Sequence, residues 1–300
     1  MPALCEATLE GNANGPLMRE NSPDEGPAAS CPLLSVVFIT YRRLGLLRQT
    51  SAAFAAAIRY PRMERIVADD GSPAKVQDGI RRLDFDKYVL SRDNKGLGAN
   101  NNNALLAASG DYILMMQDDW LPTELADGAV ARAMAILRHD PQVGMIRFYP
   151  GAIDYYPLET RRLEGSNYYV CDHGAPSYDK RQHVYSDTPH LRRAALNAPD
   201  VLGLYLEGAP MEDTEEEYSN RLEAQSRYRV GFLDRGSVVY FRHIGEDHSH
   251  RTTKLRYRLD GWLLSAAAML GLRKESWLFQ RLRSVWYGIR GGLIALGLLR

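Results

Sequence analysis

Cysteine is scarce in this 300-residue chain: Cys5, Cys31 and Cys171 stand far apart, are odd in number and form no CxxC pair. That excludes a cysteine framework for structural zinc or a redox couple and points to a reducing compartment. Long apolar runs are missing as well. No stretch of about 18 uncharged apolar residues marks a spanning helix, and no basic segment followed by an apolar core opens the chain as a secretory signal would. A cytoplasmic protein is the expectation. An excess of either charge is also absent, since Lys plus Arg and Asp plus Glu number 37 each. Bulk electrostatics therefore provide no reason to expect a nucleic-acid partner.

What is present is enough apolar material, 45% of residues, for one large core. Residues 1–31 are rich in Pro, Gly, Asn, Ser and Glu without a period, which reads as a disordered leader. Order is expected from residue 32 to 252, followed by a helical appendage over 253–300. The charges are unevenly placed. Residues 211–217 carry Glu212, Asp213, Glu215, Glu216 and Glu217, whereas ten Lys or Arg face only Asp260 and Glu275 from Arg251 onward.

β-branched and apolar runs alternate with helical stretches through the first half of the chain. Leu33 to Thr40, Arg65 to Ala68, Tyr88 to Leu90 and Gly110 to Gln117 read as strands. Leu44 to Tyr60, Lys75 to Leu83 and Ala99 to Ser109 read as the helices between them. This order implies a mostly parallel α/β sheet with right-handed crossovers. Leu125 to Arg138 continues as a helix and Val143 to Tyr149 as a strand. Residues 152–189 lose periodicity, which suggests irregular or antiparallel structure. Beyond them, His190 to Ala198 and Met211 to Ser226 read as helices, and Tyr228 to Leu233 and Ser237 to Phe241 as strands.

Three of the early strands end in polar clusters: Thr40-Tyr41-Arg42-Arg43, Asp69-Asp70-Gly71-Ser72 and Gln117-Asp118-Asp119. In open α/β sheets ligands bind at the carboxyl ends of strands, and adjacent carboxylates there suit a hard divalent cation carrying a phosphate. A solvated turn is the competing reading of Asp118-Asp119, and an Asx turn that of Asp69-Asp70.

With the segments placed, the chain from Leu33 to Arg251 resembles the family 2 glycosyltransferases of the GT-A fold, a Rossmann-like sheet with helices on both faces. The resemblance rests on Val36-Val37-Phe38-Ile39-Thr40-Tyr41, Val67-Ala68-Asp69-Asp70-Gly71-Ser72, Asn94-Lys95-Gly96 with Gly98 and Asn102, and Gly110-Asp111-Tyr112 through Asp118-Asp119. Met211-Glu212-Asp213 with Arg221-Leu222, and Val238-Val239-Tyr240 leading to His243, complete it. The chain departs from the family pattern at Ile39, where Pro is common, at Arg42 for Asn, Asn101 for Arg and Ala104 for Gly, and in Gln117-Asp118-Asp119 for Asp-x-Asp. Gln-x-x-Arg-Trp, typical of processive synthases, does not occur, so transfer of a single sugar is expected.

The resemblance implies a hexosyltransferase that takes a nucleotide-diphospho-sugar donor and a hydroxyl-bearing acceptor. Thr40 and Tyr41 would line the nucleotide pocket with Asn94 and Gly96, Asp70 would contact the base, and Asp118 the ribose. Asp119 would hold Mn²⁺ or Mg²⁺, with His243 close by; an imidazole ligates Mn²⁺ the more readily. Asp213 matches the catalytic base of an inverting transfer, with Glu212 as the alternative within the pair and a solvated helix start as the structural one. His248 and His250 suit either a loop over the donor, with Arg251 meeting phosphate, or an ordinary surface loop. Tyr-rich residues 155–185 with His173, His183 and His190 are candidates for the acceptor side.

Two other functions compete. A sugar-1-phosphate nucleotidylyltransferase would open with a Gly-rich basic loop after its first strand, where Thr40 to Gly45 holds one Gly. A non-catalytic sugar-nucleotide-binding relative would have lost the base or the acids. Residues 261–300 interleave Trp262, Trp277 and Trp286 with Lys and Arg, as a peripheral membrane contact at the inner face of the cell membrane would. Packing in a homodimer would serve the same residues.

Overall fold

The structure, a computed structural model, describes residues 31–148, 157–172, 184–236 and 238–245. Its elements are β1 (Leu34–Thr40), α1 (Leu44–Ala57), β2 (Met63–Asp69), α2 (Ala74–Ile80), β3 (Lys87–Leu90), α3 (Leu97–Ala107), β4 (Tyr112–Gln117), β5 (Trp120–Pro122), α4 (Ala126–His139) and β6 (Val143–Arg147). They continue with β7 (Leu158–Leu163), β8 (Ser166–Cys171), β9 (His190–Arg193), a short 3-10 turn Ala194–Asn197, α5 (Met211–Ala224), β10 (Arg229–Phe232) and β11 (Phe241–His243).

Nine strands form one sheet in the order β3-β2-β1-β4-β9-β6-β10-β8-β7. β1 lies between β2 and β4, parallel to both, and all seven of its residues are buried. A strand covered on both faces can be apolar throughout, which is why Leu34-Ser35-Val36-Val37-Phe38-Ile39-Thr40 lacks polar alternation. Its side chains still divide by face. Val36 and Phe38 pack with Phe54 of α1 and Val130 and Leu137 of α4 on one side. Val37 and Ile39 pack with Ala104 and Leu105 of α3 and Tyr218 and Leu222 of α5 on the other. Helices thus cover both faces of a mostly parallel mixed sheet, as expected.

Two segments depart from expectation. His190 to Ala198 is not a helix: β9 runs antiparallel between β4 and β6, and the 3-10 turn follows it. Both flanking strands would otherwise leave ladder groups buried and unpaired, a cost that outweighs a local preference worth a few tenths of a kcal/mol per residue. The expected strand Ser237 to Phe241 is displaced toward its C-terminus, to Phe241–His243. That strand pairs antiparallel with β5, a three-residue strand hidden in the sequence by its shortness and by Pro122. Residues 157–172 form the β7–β8 hairpin, in keeping with the antiparallel structure foreseen there.

Cys31 is disulfide-bonded, so reading the cysteines as a reduced set does not hold for it. Cys171 is free and buried. One compact unit ends at Ile244 and a second begins at Gly245. Among the described residues no helix is long and apolar enough to cross a membrane.

One backbone approach positions the site. Gly98, in the first turn of α3, lies so close to the loop ahead of α5 that a Cβ there would overlap the Leu206 carbonyl oxygen and crowd Thr214. Gly128 in α4 has open space around it. Gly128→Ala should therefore stabilise the protein by about 1 kcal/mol, raising the melting temperature by about 2–4 °C. Gly98→Ala should lower it despite the same gain in helix propensity. Paired thermal melts check the opposite signs.

Candidate active site

Parallel register brings three strand ends to one edge, because Thr40 aligns with Asp69 of β2 and Ile39 with Gln117 of β4. The turn after β4 continues this alignment, with Asp118 N–H donating to Ile39 O at 3.0 Å. Asp118 is fully buried and Asp119 is 3% exposed. The Thr40 hydroxyl donates to Asp118 Oδ2 at 2.6 Å, and the Thr50 hydroxyl of α1 donates to the Asp118 carbonyl at 2.7 Å. Burial pushes the Asp118 carboxyl up to about 7, while the Thr40 hydrogen bond and the Arg43 charge act against it. Acids alone do not make this edge, since the threonines aim them.

The β5–β11 pairing supplies the next group. It sets His243 opposite Trp120, with ring centroids 5.0 Å apart, and Ile244 N–H donates to Asp119 O at 2.8 Å. His243 Nε2 comes to 3.3 Å from Asp119 Oδ2. Arg43 approaches the acids from the start of α1. Its Nη1 donates to that same Oδ2 at 2.5 Å, and its Nε lies 3.2 Å from Asp118 Oδ1.

Asp119 Oδ1 is buried and has no hydrogen-bond partner. A carboxylate oxygen left open beside an imidazole suits Mn²⁺ or Mg²⁺, since such ions keep several waters and need few protein ligands when a diphosphate supplies the rest. Among the described residues no group of three or more His, Cys, Asp or Glu is gathered as a self-sufficient metal cluster. The donor set therefore fits an ion that arrives with a phosphate.

At the end of β2, Asp69 accepts from Ser72 N–H at 2.8 Å, from the Ser72 hydroxyl and from Gln77 Nε2 at 2.9 Å. It builds the turn, as its Asx reading had it. Asp70 accepts from Lys95 N–H and Gly96 N–H, each at 2.9 Å, so each of its oxygens already holds the loop ahead of α3. Gly71, at φ 74°, allows that loop to touch it: a Cβ would lie 2.5 Å from Asn94 N. Asn94 is exposed beside this turn, and Tyr41 is half-buried under the Arg42 guanidinium, 4.8 Å from its ring centroid.

The asparagines of α3 act as ties that sequence reasoning did not assign. Asn100 Nδ2 donates to Thr40 O at 3.3 Å and to Ala68 O at 3.2 Å, joining the ends of β1 and β2. Asn102 Nδ2 donates to Tyr205 O at 3.0 Å, and its Oδ1 accepts from Tyr205 N–H at 2.7 Å. The signal was four consecutive Asn in a helix that disfavours them, which calls for tertiary partners.

The clamped loop sets Ala209 near Gly96 and Thr214 near Gly98, which places the N-terminal turn of α5 at the same edge. Asp213 is exposed there. It lines a groove of about 510 Å³ along α5, with Leu206, Glu216, Asn220 and Arg221. None of the strand-end acids lines that groove. Glu212 precedes Asp213 in the same helical turn. Arg251, His248, His250, His173 and His183 lie outside the described residues.

His190 does not line an acceptor site. It is 1% exposed in the core, where its Nδ1–H donates to Thr188 O at 2.8 Å. Burial and the neighbouring Arg192 and Arg147 charges push its imidazole down to about 3. The unfolded chain, with an ordinary histidine near 6.5, therefore binds the extra proton first, and this stabilisation is lost as pH falls below about 6.5. Between pH 7.5 and 5 the wild type should lose about 2 kcal/mol that His190→Asn does not lose. Denaturant titrations of both at the two pH values check it; a constant gap between them would refute the assignment.

A family model, glycosyl transferase family 2, matches residues 35–196, just over half of the chain. A GalNAc(5)-diNAcBac-PP-undecaprenol beta-1,3-glucosyltransferase of Campylobacter jejuni is 32% identical over 108 residues, 34% of each chain. Among solved structures, the mannosyltransferase PcManGT from Pyrobaculum calidifontis in complex with GDP-Man and Mn²⁺ is 18% identical, with a TM-score of 0.49 over 73% of this chain and 59% of that one. S. aureus TarS 1-349 in complex with UDP-GlcNAc is 17% identical, with a TM-score of 0.47 over 72% and 60%. The chain thus spans about a third of the length of the curated relative and about three fifths of these solved chains.

Proposed function

The chain belongs to glycosyltransferase family 2, and from that membership we propose that it moves one sugar from a nucleotide-diphospho-sugar to a hydroxyl acceptor with inversion at the anomeric carbon. The observation that carries the reading is the buried pair Asp118 and Asp119, each with an Oδ1 that has no hydrogen-bond partner, with His243 Nε2 3.3 Å from Asp119 Oδ2. Asp119 and His243 would hold Mn²⁺ or Mg²⁺. Bound there, the ion would offset the charge gathering on the departing diphosphate.

The remaining roles belong to the chain itself. Asp118, aimed by Thr40, is oriented to accept from ribose hydroxyls. Tyr41, the Asp70 turn, Asn94 and Gly96 border the place of the nucleotide base, where the remaining lone pairs of Asp70 can accept from a base N–H. Asp213, exposed at the first turn of α5, takes the acceptor proton as the hydroxyl oxygen attacks. The groove beside Asp213 leaves room for the acceptor.

The acceptor is a saccharide, a small molecule or a lipid-linked sugar. The lipid-linked class is favoured by the undecaprenol-linked substrate of the Campylobacter relative and by the Trp-, Lys- and Arg-rich residues 261–300, which suit the inner membrane surface. Full-length protein should float with anionic liposomes at low salt and detach at high salt. Protein that stays in the soluble fraction at low salt discards the membrane contact and leaves dimer packing as the role of the tail.

A donor-hydrolysis screen of nucleotide sugars with and without Mn²⁺ tests the chemistry. Asp213→Asn should lower kcat by about 10²–10⁴ with donor KM little changed, whereas Asp119→Asn should weaken donor binding in calorimetry. Turnover by both variants at the wild-type rate would overturn the roles given to Asp213 and Asp119, and a wild type that turns over no donor would sink the transfer reaction itself.

A further inference from the structure

Arg43 stands outside the roles just assigned, yet it makes the closest contact of the acid pair. Asp118 and Asp119 are adjacent and almost wholly buried, and two unit charges so close in a poorly hydrated site require a counter-charge. Arg43 provides one by spreading its fork over both carboxylates, with Nη1 2.5 Å from Asp119 Oδ2 and Nε 3.2 Å from Asp118 Oδ1.

The hold is built to be broken. Asp118 Oδ1 has an Arg43 nitrogen nearby but no hydrogen bond of acceptable geometry, so the guanidinium does not make the parallel two-bond pairing that a single carboxylate would offer. The Arg43 side chain is 37% exposed, against 0% and 5% for its partners, so it has solvent to swing into. Its Nη1 and His243 Nε2 also converge on the same Asp119 oxygen, Oδ2. A divalent cation drawn to that oxygen meets a site whose charge is already half neutralised.

We propose that Arg43 is a resident counter-cation that keeps the Asp118–Asp119 pair neutralised in the empty enzyme and yields it only when a divalent cation arrives together with a nucleoside diphosphate. The charges set the condition. With both carboxylates ionised, the pair and Arg43 carry one net negative charge. A divalent cation alone turns that into a net positive charge in a buried site, or expels Arg43 without a new partner. A diphosphate removes both penalties, because its oxygens offer the guanidinium the bidentate pairing that it lacks on the acids. Metal and nucleotide therefore bind with positive coupling beyond their direct contact. This rests on the metal and nucleotide reading of the site.

Mn²⁺ binding to the full-length protein, followed by electron paramagnetic resonance of the free ion, tests it without any turnover. Wild type should bind Mn²⁺ weakly alone and about 5–150-fold more tightly with UDP or GDP. Arg43→Met should bind Mn²⁺ alone at least about tenfold more tightly and lose most of the nucleotide enhancement. Arg43→Lys, which keeps a cation at the pair but lacks the bidentate fork, should bind Mn²⁺ alone as weakly as wild type and retain only part of the enhancement, separating charge from a merely structural role. Should Arg43→Met fail to fold, Arg43→Gln takes its place with the same expectation. Equal Mn²⁺ affinity in wild type and the neutral variants overturns the proposal while leaving the metal site standing. No binding in any variant, with or without nucleotide, overturns the metal reading and the proposal with it.

Discussion

Two adjacent carboxylates are buried at the end of β4, and much of the surrounding architecture exists to make that tolerable. An ionised carboxylate removed from water must be paired or hydrogen-bonded, or else take up a proton. Asp118 meets that demand with the Thr40 hydroxyl on Oδ2 and with the Arg43 charge, while the Thr50 hydroxyl of α1 holds its backbone carbonyl. Asp119 meets it on one oxygen with Arg43 and His243 and leaves the other without a partner. Stabilisation is therefore incomplete at two buried oxygens, Asp118 Oδ1 and Asp119 Oδ1, neither of which has a hydrogen-bond partner.

The supporting ties share a theme, since each joins segments distant in sequence through backbone groups. Asn100 bridges the ends of β1 and β2, Asp70 closes the loop before α3, and Asn102 clamps the loop before α5. Each bond sets a short Asn or Asp side chain against backbone groups, so less side-chain freedom is lost in holding it than in a salt bridge between two long side chains. The same ties carry Asp213, on a helix that begins more than 90 residues after Asp119, to the edge shared by the strand ends. Exposure then separates the roles, with the acid pair enclosed and the candidate base open to an acceptor.

Much of the fold was legible locally. β1, β2, β3 and β4 with their intervening helices follow from apolar runs ended by Gly, Asp and Pro, because parallel strands covered on both faces leave an uninterrupted signal. The acids at the strand ends were legible for the same reason, since the run stops where the chain leaves the core. His190-Leu191-Arg192-Arg193 was not legible. Two arginines and a histidine argue against a central strand unless Arg192 finds Tyr205, Asn197 and the Tyr218 ring, partners that a local window does not weigh.

The sequence by itself determined the α/β class, the family and the identity of the acids, because each is written in short runs whose meaning depends on neighbours along the chain. Only the tertiary structure decided which groups meet those acids. His243 reaches Asp119 because a three-residue strand pairs with another more than a hundred residues later. Arg43 reaches it because α1 starts beside the end of β4, and Asp70 proves to be holding a loop with both oxygens. Such partnerships arise from the closing of long loops, whose cost is repaid only once the whole sheet has formed, so no local pattern records them.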